Sequence, residues 1–518
     1  MHTAAEKYLS GRAYAALGNT LLVPIQIHEI GRSVRSLMHA SLPFIMMYAT
    51  DERTTKGAFC IQYVFGVPEE NVFIVLSAAL ERETFPSLAR EFPGLALYER
   101  EVQSMFGLKV EGHPDPRSLI LHEENWPANT FPLRKDFAWN TKVPPTKSGD
   151  YQFHKIKGEG IYEIPVGPIH AGIIEPGHFR FSVAGEQIIS LEARLGWVHK
   201  GVEKLFETLP LEKTVMLSER ISGDSAFSHS LAFCGALESL TGTDVPRRAQ
   251  YLRVMFAELE RLTMHIFDIG NIAGNGTGFT FMAAQGFRMV ENMRRLCAEL
   301  CGNRFWRDIN VPGGVSKDIS AQQLAKVRSF LISLEKDFTE IVKVAEGSAS
   351  LANRLKGTGV FPSEVVRDLG AVGIAARCCG IAKDARVEYP YAAYTEVVPK
   401  VILEKAGDVE ARFRIRIKEV FESLRLIERV LSKLPDGPVH VALSTLPREG
   451  TVVHVVEGWR GEIAYAVAVE NGHISRVKVR DPSFIHWRLF SHLSSVDMVP
   501  DFPLINKSLN LSYTGNDL

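Results

Sequence analysis

Three side chains suited to proton transfer occur between residues 175 and 224 of the sequence: Glu175, His178 and Asp224. A histidine has a pKa near neutrality, so His178 is suited to donate a proton in a reaction that consumes protons. A carboxyl group at Glu175 or Asp224 could share that task. Other roles fit as well: His178 could be a loop histidine hydrogen-bonded to the backbone, and Asp224 could cap a helix or pair with Arg220.

Asp224 lies between two serines, and the motifs around it form an ordered series. They read Gly167-Pro-Ile-His, Glu175-Pro-Gly-His-Phe179, Val198-His-Lys-Gly-Val-Glu-Lys204, Arg220-Ile-Ser-Gly-Asp-Ser225 and, at the C-terminus, Ser512-Tyr-Thr-Gly515. In order and spacing, the series resembles the large subunit of energy-converting, membrane-bound nickel–iron hydrogenases of the formate-hydrogenlyase type (group 4).

In that family two Cys-x-x-Cys pairs bind the metals, and the corresponding positions here are degenerate. They are Ser222, Ser225, Ser512 and Gly515. Nickel and low-valent iron need thiolate donors, whereas a serine hydroxyl stays protonated near pH 7 and binds such metals weakly. The resemblance therefore implies a chain that binds no metal and has no nickel–iron centre.

These hydrogenases are related to the quinone-pocket subunit of respiratory complex I, which binds a quinone head group where the metals would be. That pocket uses a histidine, a tyrosine and an acid, and the resemblance keeps only the histidine, as His178. Gly223 and Asn275 stand at the other two positions. Glu175 matches a group that resembles a proton relay in hydrogenases. The predicted catalytic residues are therefore His178, Asp224 and Glu175.

A second series of motifs lies nearer the N-terminus: Tyr98-Glu-Arg-Glu-Val-Gln-Ser-Met-Phe-Gly-Leu108, Gly112-His-Pro-Asp-Pro-Arg117 and Pro132-Leu-Arg-Lys-Asp-Phe137. It resembles the small hydrophilic subunit of complex I, which is fused to the large subunit in formate-hydrogenlyase-type hydrogenases. Surface charges select partners more readily than they perform chemistry, so a docking surface is expected. The predicted interface residues are Glu99, Arg100, Glu101 and His113, with His199, Glu203 and Lys204 from the large-subunit region. His199 and Glu203 are four apart and are expected on one helix.

The resemblance implies a subunit of a complex-I-like (NADH dehydrogenase-like) or hydrogenase-related oxidoreductase. Such a subunit would pass electrons from a neighbouring iron–sulfur subunit to a quinone-like or other acceptor, with proton uptake coupled to ion-translocating membrane subunits. The iron–sulfur cluster is expected in the partner, and a quinone is the candidate ligand. Two alternatives remain: a catalytically silent scaffold of such a complex, and a working nickel–iron hydrogenase, which the missing ligands disfavour.

Composition excludes other classes. The 518 residues include 59 basic and 60 acidic side chains, so the net charge of -1 offers no basic surplus for nucleic acid. None of the six cysteines forms a Cys-x-x-Cys pair, and no signal peptide is evident. The longest apolar runs fall short of the ~20 residues that span a bilayer. The expected location is cytoplasmic, peripheral on the inner face of the cytoplasmic membrane through partner subunits.

The helices and strands that must position these residues are predicted from the sequence pattern, and together they indicate an α+β chain. We expect a small α/β domain at 1–137, a polar, turn-rich linker at 138–160, and a mainly α-helical, hydrogenase-large-subunit-like bundle with small β elements at 161–518. Strands are predicted at 59–65 and 72–77, helices at 76–92, 246–265, 279–301, 318–346, 362–382 and 408–433, and a β-hairpin within 457–484.

Overall fold

The computed structural model describes residues 3–170, 174–493 and 496–518. Its N-terminal part is a five-stranded sheet in the order β1-β2-β5-β4-β3, in which β2 and β5 are parallel and the other neighbours are antiparallel. The two predicted strands are confirmed as β4 and β5, whose β-branched and aromatic residues are buried inside the sheet. The elements are α1 (Thr3–Leu9), β1 (Ala15–Leu17), β2 (Thr20–Ile25), α2 (Ile30–His39), β3 (Phe44–Glu52), β4 (Ala58–Val67) and β5 (Val72–Ala79).

The predicted helix at 76–92 is wrong. Residues up to Ala79 continue β5, which has a partner strand on each side, and this pairing outweighs the helical propensity of Leu and Ala. The chain then forms β6 (Thr84–Pro86), which pairs in parallel with β7 (Lys109–Glu111). Between them lies α3 (Ala96–Phe106), which carries the charged motif that starts at Tyr98.

Residues 112–160 contain neither helix nor strand. Part of this segment is nevertheless attached to its surroundings, because the Ser148 amide donates to the Glu123 carbonyl (2.6 Å) and the Tyr151 hydroxyl donates to Glu192 (2.7 Å). The chain continues into an antiparallel sheet ordered β10-β9-β8. Its strands are β8 (Ile161–Val166), β9 (His178–Ala184) and β10 (Gln187–Arg194). The boundaries proposed for the domains stay a prediction.

A helical bundle forms the centre of the chain, with α7 packed along α14. Its helices begin and end at the residues that the sequence signals indicate: α7 follows Pro246, α8 ends before Gly302 in the left-handed conformation, and Asp408 caps α14 by accepting from the Ala411 amide (2.8 Å). The elements are α4 (Val202–Phe206), α5 (Leu211–Ser218), α6 (Ala226–Thr241), α7 (Arg247–Asn271), α8 (Thr280–Cys301), β11 (Asn310–Val311), β12 (Gly314–Val315), α9 (Ala321–Glu346), α10 (Ala349–Leu355), α11 (Ser363–Asp368), α12 (Gly373–Arg377), α13 (Ala385–Glu388) and α14 (Val409–Lys433).

The single helix predicted at 362–382 is also wrong, because α11 and α12 are separate. Gly370 lies between the two helices and Gly373 is the first residue of α12. Their φ values of 70° and 57° are left-handed, so a right-handed helix cannot continue through them. A Cβ on Gly373 would lie 2.2 Å from the carbonyl oxygen of Arg460. The break therefore lets the backbone turn that carries Arg460 approach closely.

The C-terminal region has three antiparallel strands where a hairpin was expected, because β13 adds to the predicted pair. The elements are β13 (Glu449–Glu457), β14 (Glu462–Glu470), β15 (His473–Arg480), α15 (Pro482–His486), α16 (Phe502–Leu509) and α17 (Tyr513–Asp517). Helix α6 packs against β13 and β14. This packing brings the β13–β14 turn to the N-terminal end of α6, and α17 packs against α15. The prediction of an α+β chain is confirmed.

Candidate functional site

The four degenerate ligand positions converge at the start of α6. The Ser222 hydroxyl donates to the Ser512 hydroxyl (2.9 Å), although 290 residues separate them in sequence. Ser512 caps α17, and its hydroxyl accepts from the Gly515 amide (2.9 Å). Ser225 lies at the N-cap of α6. We call Ser222, Ser225, Ser512 and Gly515 the serine cluster.

An arginine from the β13–β14 turn lies inside the serine cluster. Arg460 forms a two-pronged ion pair with Asp224, with Nη1 to Oδ1 at 2.8 Å and Nη2 to Oδ2 at 2.5 Å. Nη1 also approaches the hydroxyls of Ser222 (3.5 Å) and Ser225 (3.4 Å). The Arg460 side chain is 4% exposed and that of Asp224 is 31% exposed. Burial opposes the guanidinium charge, yet the Asp224 carboxylate leaves the pKa of Arg460 above its ordinary value.

A layer beneath the serine cluster positions Arg460. Its Nε donates to the carbonyl of Asn510 (2.5 Å), and the side-chain amide of Asn510 donates to Asp268 (2.7 Å). Arg416 donates to the other oxygen of Asp268 (2.9 Å). Burial, only partly offset by Arg416, raises the pKa of Asp268 to about 6. The guanidinium of Arg460 is therefore fixed from two sides, by Asp224 and by Asn510.

At the fourth position, Gly515, the surrounding residues leave no room for a side chain. A Cβ on Gly515 would lie 2.7 Å from Cγ of Asp481, closer than side chains approach one another. Asp481 cannot move freely, because it accepts from the Ser483 amide (2.7 Å) and lies 3.1 Å from Nε2 of His229. Burial disfavours the charge, but the contact with His229 outweighs it and lowers the pKa of Asp481 to about 2.

The residues of the cluster do not fit a nickel–iron centre. The donors present are hard hydroxyl and carboxylate oxygens, whereas nickel and low-valent iron require soft thiolates. The Arg460 guanidinium also places a positive charge within hydrogen-bond reach of two of the four positions, where it repels a cation.

Of the three predicted catalytic residues, two belong to the serine cluster and its surroundings. Asp224 lies inside it, and its partner is Arg460; the alternative pairing with Arg220 is wrong, because Arg220 donates to the Met216 carbonyl (2.6 Å). Glu175 accepts from the Thr514 amide in α17 (3.1 Å). Each of these carboxyl groups thus contacts a neighbour of Ser512: Asp224 contacts Ser222, and Glu175 contacts Thr514.

His178 has a different environment. Its Nδ1 lies 3.2 Å from the Gly167 carbonyl, Nε2 accepts from Arg180 (3.4 Å), and the ring packs 5.1 Å from that of Phe153. Burial, and then Arg180, lower the pKa of His178. The hydrogen bond between His178 and the backbone, one of the alternatives considered for this residue, is therefore present. None of the partners of His178 named here belongs to the serine cluster.

The predicted interface charges are largely internal. Glu101 and Glu203, both nearly buried, share Lys478 of β15, at 2.5 Å and 3.2 Å. Glu99 accepts from Ser87 and the Leu88 amide, His113 lies 3.7 Å from Glu99, and Lys204 donates to the Arg134 carbonyl. Arg100 pairs with Asp115 at 3.2 Å. These charges have partners within the chain, and the Glu101–Lys478 pair joins α3 to the C-terminal sheet. Their role at an interface with another subunit stays a prediction.

His199 and Glu203 do not share a helix, which corrects the expectation from their spacing. Helix α4 begins at Val202, and Gly201 before it has a φ of 69°. His199 instead lies 2.6 Å from the carbonyl of Asp517 through Nδ1. It therefore helps to hold the C-terminal helix in place.

Sequence reasoning missed Arg460, although the residue was visible. It stands beside Trp459, between Gly458 and Gly461 in the turn between two predicted strands, and a charge that becomes buried there needs a counter-charge. Asp481 was missed because its role depends on the approach of α17, which no local pattern encodes. Across the residues that the structure describes, no helix combines the length and apolar composition needed to cross a bilayer.

Comparison with known protein families gives two matches. Residues 24–143 match the 30 Kd subunit of respiratory-chain NADH dehydrogenase, and residues 274–447 and 441–517 match its 49 Kd subunit. The two families therefore occupy the N-terminal and C-terminal parts of one chain.

Several curated proteins are similar over most of their length. Formate hydrogenlyase subunit 5 of Escherichia coli is 30% identical over 96% of this chain and 89% of its own, and hydrogenase-4 component G of the same organism is 31% identical over 91% and 83%. The C/D subunit of NADH-quinone oxidoreductase from Phocaeicola vulgatus is 32% identical over 74% and 76%.

One solved structure is similar as well. It is a chain of the membrane-bound sulfane sulfur reductase, described as an archaeal respiratory membrane complex, with a TM-score of 0.66 and 27% identity. The match covers 70% of this chain and 99% of the other.

Proposed function

Because the chain belongs to the family that joins the 30 Kd and 49 Kd subunits of NADH dehydrogenase in one polypeptide, we propose that it is an electron-transfer subunit without a nickel–iron centre. Its relatives include a subunit of formate hydrogenlyase. Its electrons come from a neighbouring iron–sulfur subunit and go to a quinone-like or other acceptor. Proton uptake accompanies the transfer and is coupled to ion-translocating membrane subunits. The association with the membrane is peripheral, through those partners.

The observation that carries this proposal is the Asp224–Arg460 pair inside the serine cluster. It replaces thiolate donors with a carboxylate and a guanidinium, which suit proton exchange and the binding of a polar acceptor group rather than a soft metal. Asp224 keeps about a third of its side chain exposed, at 31%, so it has a route to solvent.

The residues of this chain supply protons and orientation. Reduction of a quinone to a quinol takes two electrons and two protons, and the electrons come from the partner's iron–sulfur cluster. Asp224 and Glu175 are the carboxyl groups that accept protons from water and pass them on, and His178 is the third candidate donor. Arg460, fixed through Asn510, orients Asp224.

The test uses the assembled complex, with a chemical reductant and a water-soluble quinone analogue as acceptor. We expect Asp224→Asn to lower acceptor reduction by about 10²-fold, the size of a general acid–base contribution, without loss of subunits from the complex. We expect a smaller decrease for His178→Ala. Asp337→Asn is the matched control, because Asp337 is an exposed aspartate that pairs with Arg288 at 3.1 Å. Unchanged rates in Asp224→Asn would refute the proposed role.

A catalytically silent scaffold is the second candidate. It is favoured by the internal pairing of Asp224 and Arg460, which satisfy each other without any ligand. In that case Asp224→Asn and His178→Ala change assembly or nothing, while acceptor reduction per assembled complex stays constant. Elemental analysis of the purified complex tests the remaining alternative, because stoichiometric nickel would indicate a working hydrogenase.

A further inference from the structure

A cavity of about 320 Å³ lies between the N-terminal part of the chain and the C-terminal region. Helix α3 and the segment after β7 form one side, and β10 and the residues after α15 form the other. Part of its wall is apolar, with Leu97, Leu191 and Trp487. Its volume falls at the lower end of the range of small-molecule pockets, about 300–1,000 Å³.

Four arginines line this cavity, and two of them have strong carboxylate partners. Arg117 donates to Asp115 (2.7 Å) and to Glu192 (2.6 Å). Arg194 forms a two-pronged pair with Glu124, at 2.7 and 2.6 Å. Both guanidinium charges are therefore compensated by carboxylates within the chain.

The other two arginines, Arg100 and Arg488, have fewer carboxylate contacts. Arg100 donates to the carbonyls of Arg117 and Ser118 (2.9 Å each). Its one carboxylate partner among the described residues is Asp115, at 3.2 Å, which already accepts from Arg117. Arg488 donates to the Pro93 carbonyl (2.7 Å), and no carboxylate in the described ranges forms an ion pair with it. Burial, and then the nearby Arg100, lower the pKa of Arg488, and the Asp115 carboxylate only partly offsets them. Arg488 is therefore a half-buried cation that lines the cavity without a carboxylate in ion-pair contact among the described residues.

We propose that this cavity binds a small organic oxyanion, whose carboxylate or phosphate group pairs with Arg488 and whose apolar part lies against Leu191 and Trp487. A guanidinium binds such groups through two parallel hydrogen bonds. The apolar wall favours a ligand with an attached ring or short hydrocarbon over a bare inorganic ion. This site is separate from the serine cluster and does not depend on the function proposed above.

The occupant contacts the wall behind the C-terminal helix. Trp487 packs on Tyr513 with ring centroids 4.7 Å apart, and its indole nitrogen lies 3.5 Å from the Ser512 carbonyl. Asn516 of α17 lines the cavity as well. A bound oxyanion therefore stabilises the segment that supplies half of the serine cluster.

Isothermal titration calorimetry on the full-length chain at low ionic strength tests the proposal, with phenyl phosphate and inorganic phosphate as probes. We expect one phenyl phosphate per chain and weaker binding of inorganic phosphate, which lacks the apolar contact. Arg488→Gln should weaken phenyl phosphate binding by tenfold or more, because a charge-assisted hydrogen bond is lost. Arg414→Gln is the matched control, since Arg414 is exposed and pairs with Glu410 at 2.6 Å.

A second variant, Ala193→Phe, fills the cavity from β10 while keeping Arg488, and it should also abolish binding. Equal affinities in Arg488→Gln and Arg414→Gln would overturn the proposal. So would undiminished binding in Ala193→Phe, or no saturable heat from a chain with an unchanged circular dichroism spectrum. Arg488-dependent sedimentation with phosphatidylglycerol vesicles, in the absence of phenyl phosphate binding, would also overturn it by pointing to a lipid headgroup.

Discussion

Substitution of Gly515 tests whether the serine cluster has closed around its glycine. In Gly515→Ala the new Cβ would lie 2.7 Å from Cγ of Asp481, whereas ordinary contacts begin at 3.4 Å, so one group must move by roughly 0.7 Å. Asp481 is held by the Ser483 amide and His229, and it caps α15. Overpacking of this kind costs about 1–3 kcal/mol, and the better helix propensity of alanine returns at most about 1 kcal/mol.

We therefore expect Gly515→Ala to lower the free energy of unfolding by about 1–2 kcal/mol. Urea titration of the full chain measures this, with tryptophan fluorescence as the signal, because Trp487 packs on α17. The control is Gly223→Ala, next to Ser222, where the nearest atom to a new Cβ is Nη2 of Arg307 at 3.6 Å. Equal urea midpoints for the two variants, or a more stable Gly515→Ala, would refute the reasoning.

Two further predictions concern buried charges. Lys478→Met leaves Glu101 and Glu203 without their shared cation, so it should lower the free energy of unfolding by about 3–5 kcal/mol in urea titrations. The control, Lys326→Met at an exposed site, should cost under about 1 kcal/mol. Similar costs for the two variants would contradict the inferred internal interface. Burial raises the pKa of Glu260 to about 7, so its contribution to stability is complete below about pH 4.5 and is lost as the pH rises through 7. Glu260→Gln removes this dependence and should gain about 3 kcal/mol relative to wild type between pH 4.5 and 7.5; parallel stability curves would contradict the assignment.

Much of the fold could be predicted from local patterns. Helices α7, α8, α9 and α14 have apolar residues at helical spacing and clear end signals, and each begins within three residues of its predicted start. The errors arose where tertiary contacts outweigh propensity. Residues 76–92 look helical by composition, but those up to Ala79 belong to β5, a central strand. The segment 362–382 is divided so that the Arg460 turn can approach Gly373.

The candidate site divides in the same way. The loss of all four thiols is a property of the sequence alone, because ligand chemistry depends on residue type. Which group takes their place could not be read from the sequence, since Asp224 and Arg460 are 236 residues apart and meet only when β13 and β14 pack on α6. Asp481 and Gly515 meet only because α15, which Asp481 caps, packs against α17.

The sequence by itself determined the family, the α+β class and the absence of thiolate donors, because each depends on residue identity and spacing along the chain. Only the tertiary structure decided that a buried guanidinium occupies the serine cluster and that Glu101 of α3 pairs with Lys478 of β15. It alone also decided that Arg488 lines a cavity without an ion-paired carboxylate among the described residues. These features depend on the distances between charges in a low-dielectric interior, and such distances are set by the packing of elements far apart in the chain.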